Sequence, residues 1–271
     1  MQTVFRKQIA IPQDHGSWVF IFSPLLIGIF AGRALGGPTL VLIAGALAAF
    51  LLRQPVTVMV KAVSGRRPRS DLPAAFFWAV VYSLVGAAAL VTLILIGDGY
   101  VAYLVVPGLP VFAWHLWLVS RRAERRQSIV ELIATGVLAL AAPGAYWVGV
   151  DHYDPVGWWL WFLVWLQSGA SILYAYLRLE QRVLPQVPAR AVQLRMAANA
   201  LAFTTFNVVL TLALAMLGLL PRLIFVPYVV QWLESLWGTF HPAVKVKPVF
   251  IGIRQLVVSV LWTVLFMVFW R

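Results

Sequence analysis

Residues 74–97, AAFFWAVVYSLVGAAALVTLILIG, run for 24 residues without one charged side chain. A helix needs about 20 mostly apolar residues to cross the roughly 30 Å of a bilayer's hydrocarbon. The run is preceded by Gly65-Arg66-Arg67-Pro68-Arg69 and followed by Asp98. A basic loop before and an acid after give it the polarity of a span that starts at the cytoplasmic face.

Working outward, comparable stretches lie at 15–35, 38–60, 99–119, 128–149, 157–177, 197–219, 222–238 and 251–270. The sequence thus predicts an all-α polytopic bundle of about nine spans, forming a single membrane domain over residues 1–271. Two spans are weaker than the rest. Pro107 and Pro110 should kink the fourth, since proline cannot donate to the helical ladder. The eighth is short and is made polar by Pro227, Gln231 and Glu234. The first apolar stretch follows Arg6 and Lys7, and Ala31-Gly32-Arg33-Ala34 is a loose cleavage-like site. Eight further apolar segments make a retained span the simpler reading.

Composition agrees. The chain is 62% hydrophobic and 11% charged, against about 25% charged in a soluble domain. The absence of cysteine excludes a disulfide framework, a thiolate metal site and a thiol nucleophile. The net charge of +12 would suggest nucleic acid for a soluble protein. In a membrane protein it decorates cytoplasmic loops and meets anionic lipid headgroups. The expected partners are therefore membrane lipids, with anionic headgroups on the cytoplasmic side, and not nucleic acid. Nine spans place 18 of the 21 basic residues on one side and leave only Arg33, Arg222 and Arg271 on the other, together with Asp98, Asp151 and Asp154. This split puts the N-terminus in the cytoplasm and the C-terminus outside. Tyr146, Trp147, Tyr153, Trp158, Trp159 and Trp161 cluster at the fifth-to-sixth connection, where amphipathic rings favour headgroup depth.

Polar residues within spans carry the functional information, because charge in hydrocarbon is costly and turns toward the bundle interior. Arg53, Thr57 and Lys61 share one helical face at the end of the second span, with Pro55 between them. Tyr174, Arg178 and Arg182 repeat that spacing at the end of the sixth. Snorkelling to the headgroups is the plain alternative for both stripes. Glu131 lies just inside the fifth span and calls for a basic partner. His15 follows Asp14, which with Ser17 can cap the first helix. His115, Asn199, Asn207, Gln231 and Glu234 extend the polar set, and His241 sits near Lys245 and Lys247. Asparagines inside a bundle more often hold helices together than bind ligands. No phosphate-cradling Gly-rich loop, His-Glu-x-x-His or Gly-x-Ser-x-Gly motif occurs, and carboxylates are too scattered for a metal site. No cofactor and no metal are expected.

The opening from Pro12-Gln13-Asp14-His15-Gly16-Ser17-Trp18 to Ser23-Pro24-Leu25-Leu26-Ile27-Gly28 resembles the start of the YwiC-like family of bacterial membrane proteins. Lys247-Pro248-Val249-Phe250-Ile251-Gly252-Ile253-Arg254-Gln255 is similar to that family's end. A more distant likeness is to UbiA-type intramembrane prenyltransferases, which have nine spans and a cytoplasmic N-terminus. This implies a UbiA-like arrangement of helices. In those enzymes, aspartates spaced by four at the ends of the second and sixth spans hold magnesium and a prenyl diphosphate. The corresponding places here are Arg53/Thr57/Lys61 and Tyr174/Arg178/Arg182, with the charge reversed. Cations there bind an anion directly and repel Mg²⁺.

The favoured expectation is a cationic, cytoplasm-facing cavity for an anionic lipid or isoprenoid phosphate, with Arg53, Thr57, Lys61, Tyr174, Arg178, Arg182, Glu131 and His15 as candidate ligand-binding residues. The alternatives are a permease for a small anion, a diverged lipid transferase without the aspartate motifs, or an assembly scaffold. Reporter fusions after residues 68, 124, 186 and 245 should read as cytoplasmic and those after 35, 98, 152 and 220 as external. An external signal at 124 or 186 would overturn the nine-span topology.

Overall fold

The computed structural model describes residues 6–12, 15–122 and 128–270, with the side chain of His15 not included. The Asp14 cap, the His15 side chain, the Glu124-Arg125-Arg126 stretch and Arg271 lie outside the described residues. All regular structure among those described is helical. Its α-helices are α1 (Lys7–Ala10), α2 (Val19–Gly32), α3 (Gly37–Val63), α4 (Leu72–Leu95), α5 (Val105–Ser120), α6 (Ser128–Ala139), α7 (Ala141–Val150), α8 (Val156–Gln181), α9 (Arg190–Met216), α10 (Val226–Phe240) and α11 (Pro248–Phe269). Single 3-10 turns lead into α2, α4 and α5.

Seven helical stretches are long and apolar enough to cross a membrane: 37–63, 69–95, 99–120, 128–150, 156–181, 190–216 and 248–269. The protein is an integral membrane protein with several transmembrane helices. A shorter apolar helix, Gly16–Gly32, stands at the first expected span. The 15-residue α10 stands at the eighth.

Local chemistry sets the boundaries. Proline opens α3, α4, α10 and α11 in the first turn, where its missing N–H costs nothing. α2 stops at Arg33, in the left-handed conformation with φ 55°, whose N–H caps Ile29 O. The fifth apolar stretch is broken between α6 and α7, where Leu140 N–H bonds Val137 O in a tighter turn. Pro143 explains the break, since it has no N–H for the carbonyl four residues back. Pro107 falls in the first turn of α5, which a 3-10 turn at Gly99–Leu104 precedes, while Pro110 lies inside that helix.

The chain forms two compact units, residues 1–161 and 162–271, and the boundary falls within α8. In the first, α3 packs on α4 through small residues: a side chain at Gly45 would meet Ala89 Cβ at 3.0 Å, and Ala48 is buried. α2 and α7 approach still more closely. Gly28 faces the Ala142 carbonyl and Ala145, and Gly32 lies on Gly149. Gly28/Gly32 and Ala145/Gly149 are both small-xxx-small pairs, and this close approach draws its stability from dispersion rather than from the hydrophobic effect. Ile21, Leu25 and Phe50 fill the space beside Ala145, with Trp18 edge-on to Phe50 at 5.0 Å.

Polar ties close the ends of this unit. Gln54 donates to Gln8 O at 2.9 Å and Tyr82 to Ala10 O at 3.0 Å, anchoring α1 to α3 and α4. Asp71 accepts from Arg6 at 2.8 Å and lies 3.5 Å from Arg67. At the α7–α8 turn, Asp154 accepts from Tyr146 at 2.7 Å and from Val156 N–H at 2.8 Å, while its carbonyl accepts from Trp147 at 2.6 Å. Trp147 is therefore a fully buried keystone of the turn, set against Gly157. In the second unit α9 and α11 both pack on α10, and Tyr174 and Leu177 of α8 pack on Ala197 and Ala200 of α9.

Gly28→Ala sets a methyl against a backbone carbonyl that cannot yield as a side chain can. Overpacking of this kind costs about 1–3 kcal/mol. In detergent the variant should melt earlier than the parent, whereas Gly37→Ala, which has open space around it, should not.

Candidate functional site

The polar residues of the second unit are arranged along one stripe of α8. Gln167, Ser171, Tyr174, Arg178 and Gln181 are spaced by four, three, four and three, which tracks a single face of a 3.6-residue helix. All five are buried. Each makes a bond to a residue on or just after α10 or α11. Gln167 donates to Gln231 at 3.1 Å, Gln255 donates to the Ser171 hydroxyl at 3.0 Å, and Tyr174 donates to Glu234 at 2.6 Å. Arg178 donates to the carbonyls of Gly238 at 2.8 Å and His241 at 2.7 Å. Gln181 bonds Gly238 O at 3.1 Å and accepts from Ala243 N–H at 3.2 Å. Asn207 of α9 donates to Leu166 O at 3.1 Å, which is the helix-joining role expected of it.

The charges gather at one end of this ladder. Glu234 is held by both prongs of the Arg254 guanidinium, at 2.6 and 2.8 Å, as well as by Tyr174. Arg254 lies flat on Trp237, 3.5 Å from the ring centre, and His241 stacks on the same indole at 4.7 Å. Arg178 lies 5.5 Å from Trp237 and 5.8 Å from the Tyr174 ring. Its third bond goes to the Gln181 side chain at 2.9 Å. Every one of these acceptors is neutral, and all three are served by one terminal nitrogen. Arg178 is 6% exposed and forms no ion pair among the described residues. With Glu234 committed to Arg254, the cluster carries one positive charge in excess. Burying a charge without a counter-ion is costly, so a site of this form favours an anion.

Arg53, Thr57 and Lys61 lie half-buried on α3, in the first unit. Tyr174 and Arg178 are brought together in the second unit, with Arg182 half-buried at the edge of their stripe. The inward face continues through Gln181 because steps of four and three follow the helix more closely than repeated steps of four. Glu131 is exposed in the first turn of α6, and His115 is buried in α5. Arg195 and Asn199 share an exposed face of α9. The sequence reading did not pair Glu234 with Arg254, nor did it single out Trp237, Gln181 or Ser171. The signal was present in the 4-3-4-3 spacing and in a carboxylate within a span, which needs a cation. Among the described residues no group of three or more His, Asp or Glu side chains is placed to hold a metal ion.

The chain belongs to the YwiC-like family: residues 11–146, half of its length, match the family described as YwiC-like protein. The matched residues fall in the first unit, and the tail likeness at 247–255 lies outside them. The protein named "Uncharacterized protein YwiC" of Bacillus subtilis (strain 168) is 28% identical over 163 residues, covering 58% of this chain. The chain spans 60% of that relative's length. No solved structure matches.

Two substitutions test the cluster's construction. Arg254→Gln leaves the half-buried Glu234 carboxylate without its cation and should cost roughly 1–3 kcal/mol, read as a lower melting temperature. Adding Glu234→Gln should restore part of the loss, since the orphaned charge is then gone. No recovery in the double variant would show that the ion pair is not what holds α10 to α11.

Proposed function

We propose that this multi-pass membrane protein binds an anionic headgroup, a lipid phosphate or isoprenoid phosphate, at Arg178 in the second unit. The observation that carries the reading is the buried Arg178 guanidinium, whose bonds all go to neutral acceptors while the neighbouring carboxylate is committed elsewhere. A phosphate oxygen is the partner that such a charge lacks, and guanidinium suits it better than ammonium. Trp237, exposed and 5.5 Å from Arg178, gives the site an aromatic neighbour for the apolar part of an amphiphile. Lys245 and Lys247 follow in the loop, where each basic residue near an anionic surface adds about 1 kcal/mol of attraction.

The proposal includes the finer topology: nine spans, a cytoplasmic N-terminus, an external C-terminus and a UbiA-like arrangement in a bacterial inner membrane. It is supported by the coincidence of helical segments with every expected span and by the one-sided distribution of basic residues.

Native mass spectrometry of protein in mild detergent, supplied with phosphatidic acid or phosphatidylcholine, provides the test. Phosphatidic acid should be retained preferentially. Arg178→Gln should weaken its retention about tenfold or more, the scale of one charge-assisted hydrogen bond. Arg178→Lys keeps the charge without the fork and should fall between. Arg195→Gln, on an exposed face of α9, should change little. Competition by inorganic phosphate at millimolar concentration would identify the free anion rather than the lipid as ligand. Equal, small and salt-screened losses at positions 178 and 195 would overturn the reading, because they describe interface anchors.

A further inference from the structure

The ladder contains more hydrogen-bonding capacity than its direct bonds use. Gln167 Oε1, Asn207 Oδ1, Gln231 Nε2, Gln255 Oε1 and Trp262 Nε1 are buried and make no hydrogen bond among the described residues. All belong to the second unit, as do Arg182 Nε and Gln193 Oε1, while Thr57 Oγ1 of the first unit shares the condition. Had these amides served only to join helices, the bonds they make would exhaust them. Each instead leaves one end unpaired, at a cost of about 1–3 kcal/mol for every buried group that stays unsatisfied. The nearby hydroxyls add acceptors. Ser168, Ser235 and Thr211, all buried, each donate to the carbonyl four residues back on their own helix, which leaves their oxygens able to accept.

The mixture of signs identifies the guest. Three of the five atoms are acceptors and two are donors. An anion requires donors and a cation requires acceptors, whereas water supplies both. Buried waters sit where several unsatisfied polar groups converge. The groups also occur in sequence along the helix axis. Tyr228 donates to Leu163 O at 2.9 Å, one turn before Gln167, and Trp262 lies edge-on to Tyr228 at 5.5 Å. From Leu163 to Tyr174 the axis covers about 17 Å, more than half of the hydrocarbon thickness.

We propose that the second unit encloses a file of internal water, running from Tyr228 and Trp262 past Gln167 and Gln231 to the Tyr174–Glu234 pair. The file is closed at its far end by the aromatic cluster of Tyr228, Trp262 and Phe266, the last of these 4.9 Å from Trp262. It ends at the other on a carboxylate, the arrangement of an intramembrane proton relay. This does not depend on the anion site, since none of its evidence involves Arg178.

X-ray hydroxyl-radical footprinting of the purified full chain tests it, because radicals formed from bound water oxidise the side chains beside it. Tyr174, Tyr228 and Trp262 are all 2% exposed or less, and Trp147 of the first unit, at 0%, is the dry reference. The three should label several-fold faster than Trp147. Gln167→Leu combined with Gln231→Leu should abolish labelling of Tyr228 and Trp262 while leaving the exposed Trp237 unchanged. Labelling of all three at the Trp147 rate overturns the proposal. So does persistence of the Tyr228 and Trp262 signals in a double variant that still melts cooperatively. If that variant does not fold, the comparison within the parent protein decides alone.

Discussion

Hydrocarbon offers no hydrogen bonds, so every polar group carried into the membrane must be answered from within the protein. This constraint orders the whole molecule. It makes all regular structure among the described residues helical and sends the charged residues largely to the helix ends. It also obliges the side chains that remain inside to find each other. Glu234 has three donors, Arg178 three acceptors, and Asp154 closes a turn on three sides. Those bonds then fix the packing. Gly238 has no side chain because Tyr174 occupies that space on its way to Glu234.

The two units meet the constraint differently. In the first, helices approach largely through glycine and alanine, and many polar ties lie at the ends, Trp161 to Gly136 O at 2.8 Å being one that does not. In the second, the interior carries amides and hydroxyls along most of α8. A dry interface of small residues is stiff, since backbone atoms are already in contact. An interior joined by amides has several alternative bonding patterns of similar energy. The family match falls on the dry unit and the charged cluster on the polar one.

Much of the fold was legible in the sequence because apolar runs of membrane length are a strong signal. Boundaries were less so. α9 begins at Arg190, ahead of the span expected from about 197, because a helix continues through a polar segment at little cost once its N–H groups are bonded. The break at Leu140 follows from Pro143 but is invisible to hydropathy. Of the site, Tyr174 and Arg178 were legible from helical spacing alone. The Glu234–Arg254 pair was not, since two residues 20 apart on different helices meet only once the turn between α10 and α11 is known. Trp237 was hidden for another reason: aromatic residues abound in this chain, and nothing in sequence separates the one that stacks on guanidinium from those that face lipid.

The brevity of α10 has a consequence for the surrounding bilayer. Fifteen residues cover about 22 Å, well short of the roughly 30 Å of an average hydrocarbon core. The segment before it, residues 217–225, turns back on itself with bonded backbone, and Leu220 and Ile224 are buried there. Leu217, Leu219 and Leu223 of that segment are exposed, so the apolar surface offered to lipid continues past the end of the helix. Acyl chains beside α10 thus meet turns whose backbone is bonded to itself, the condition that hydrocarbon sets for any segment leaving a helix.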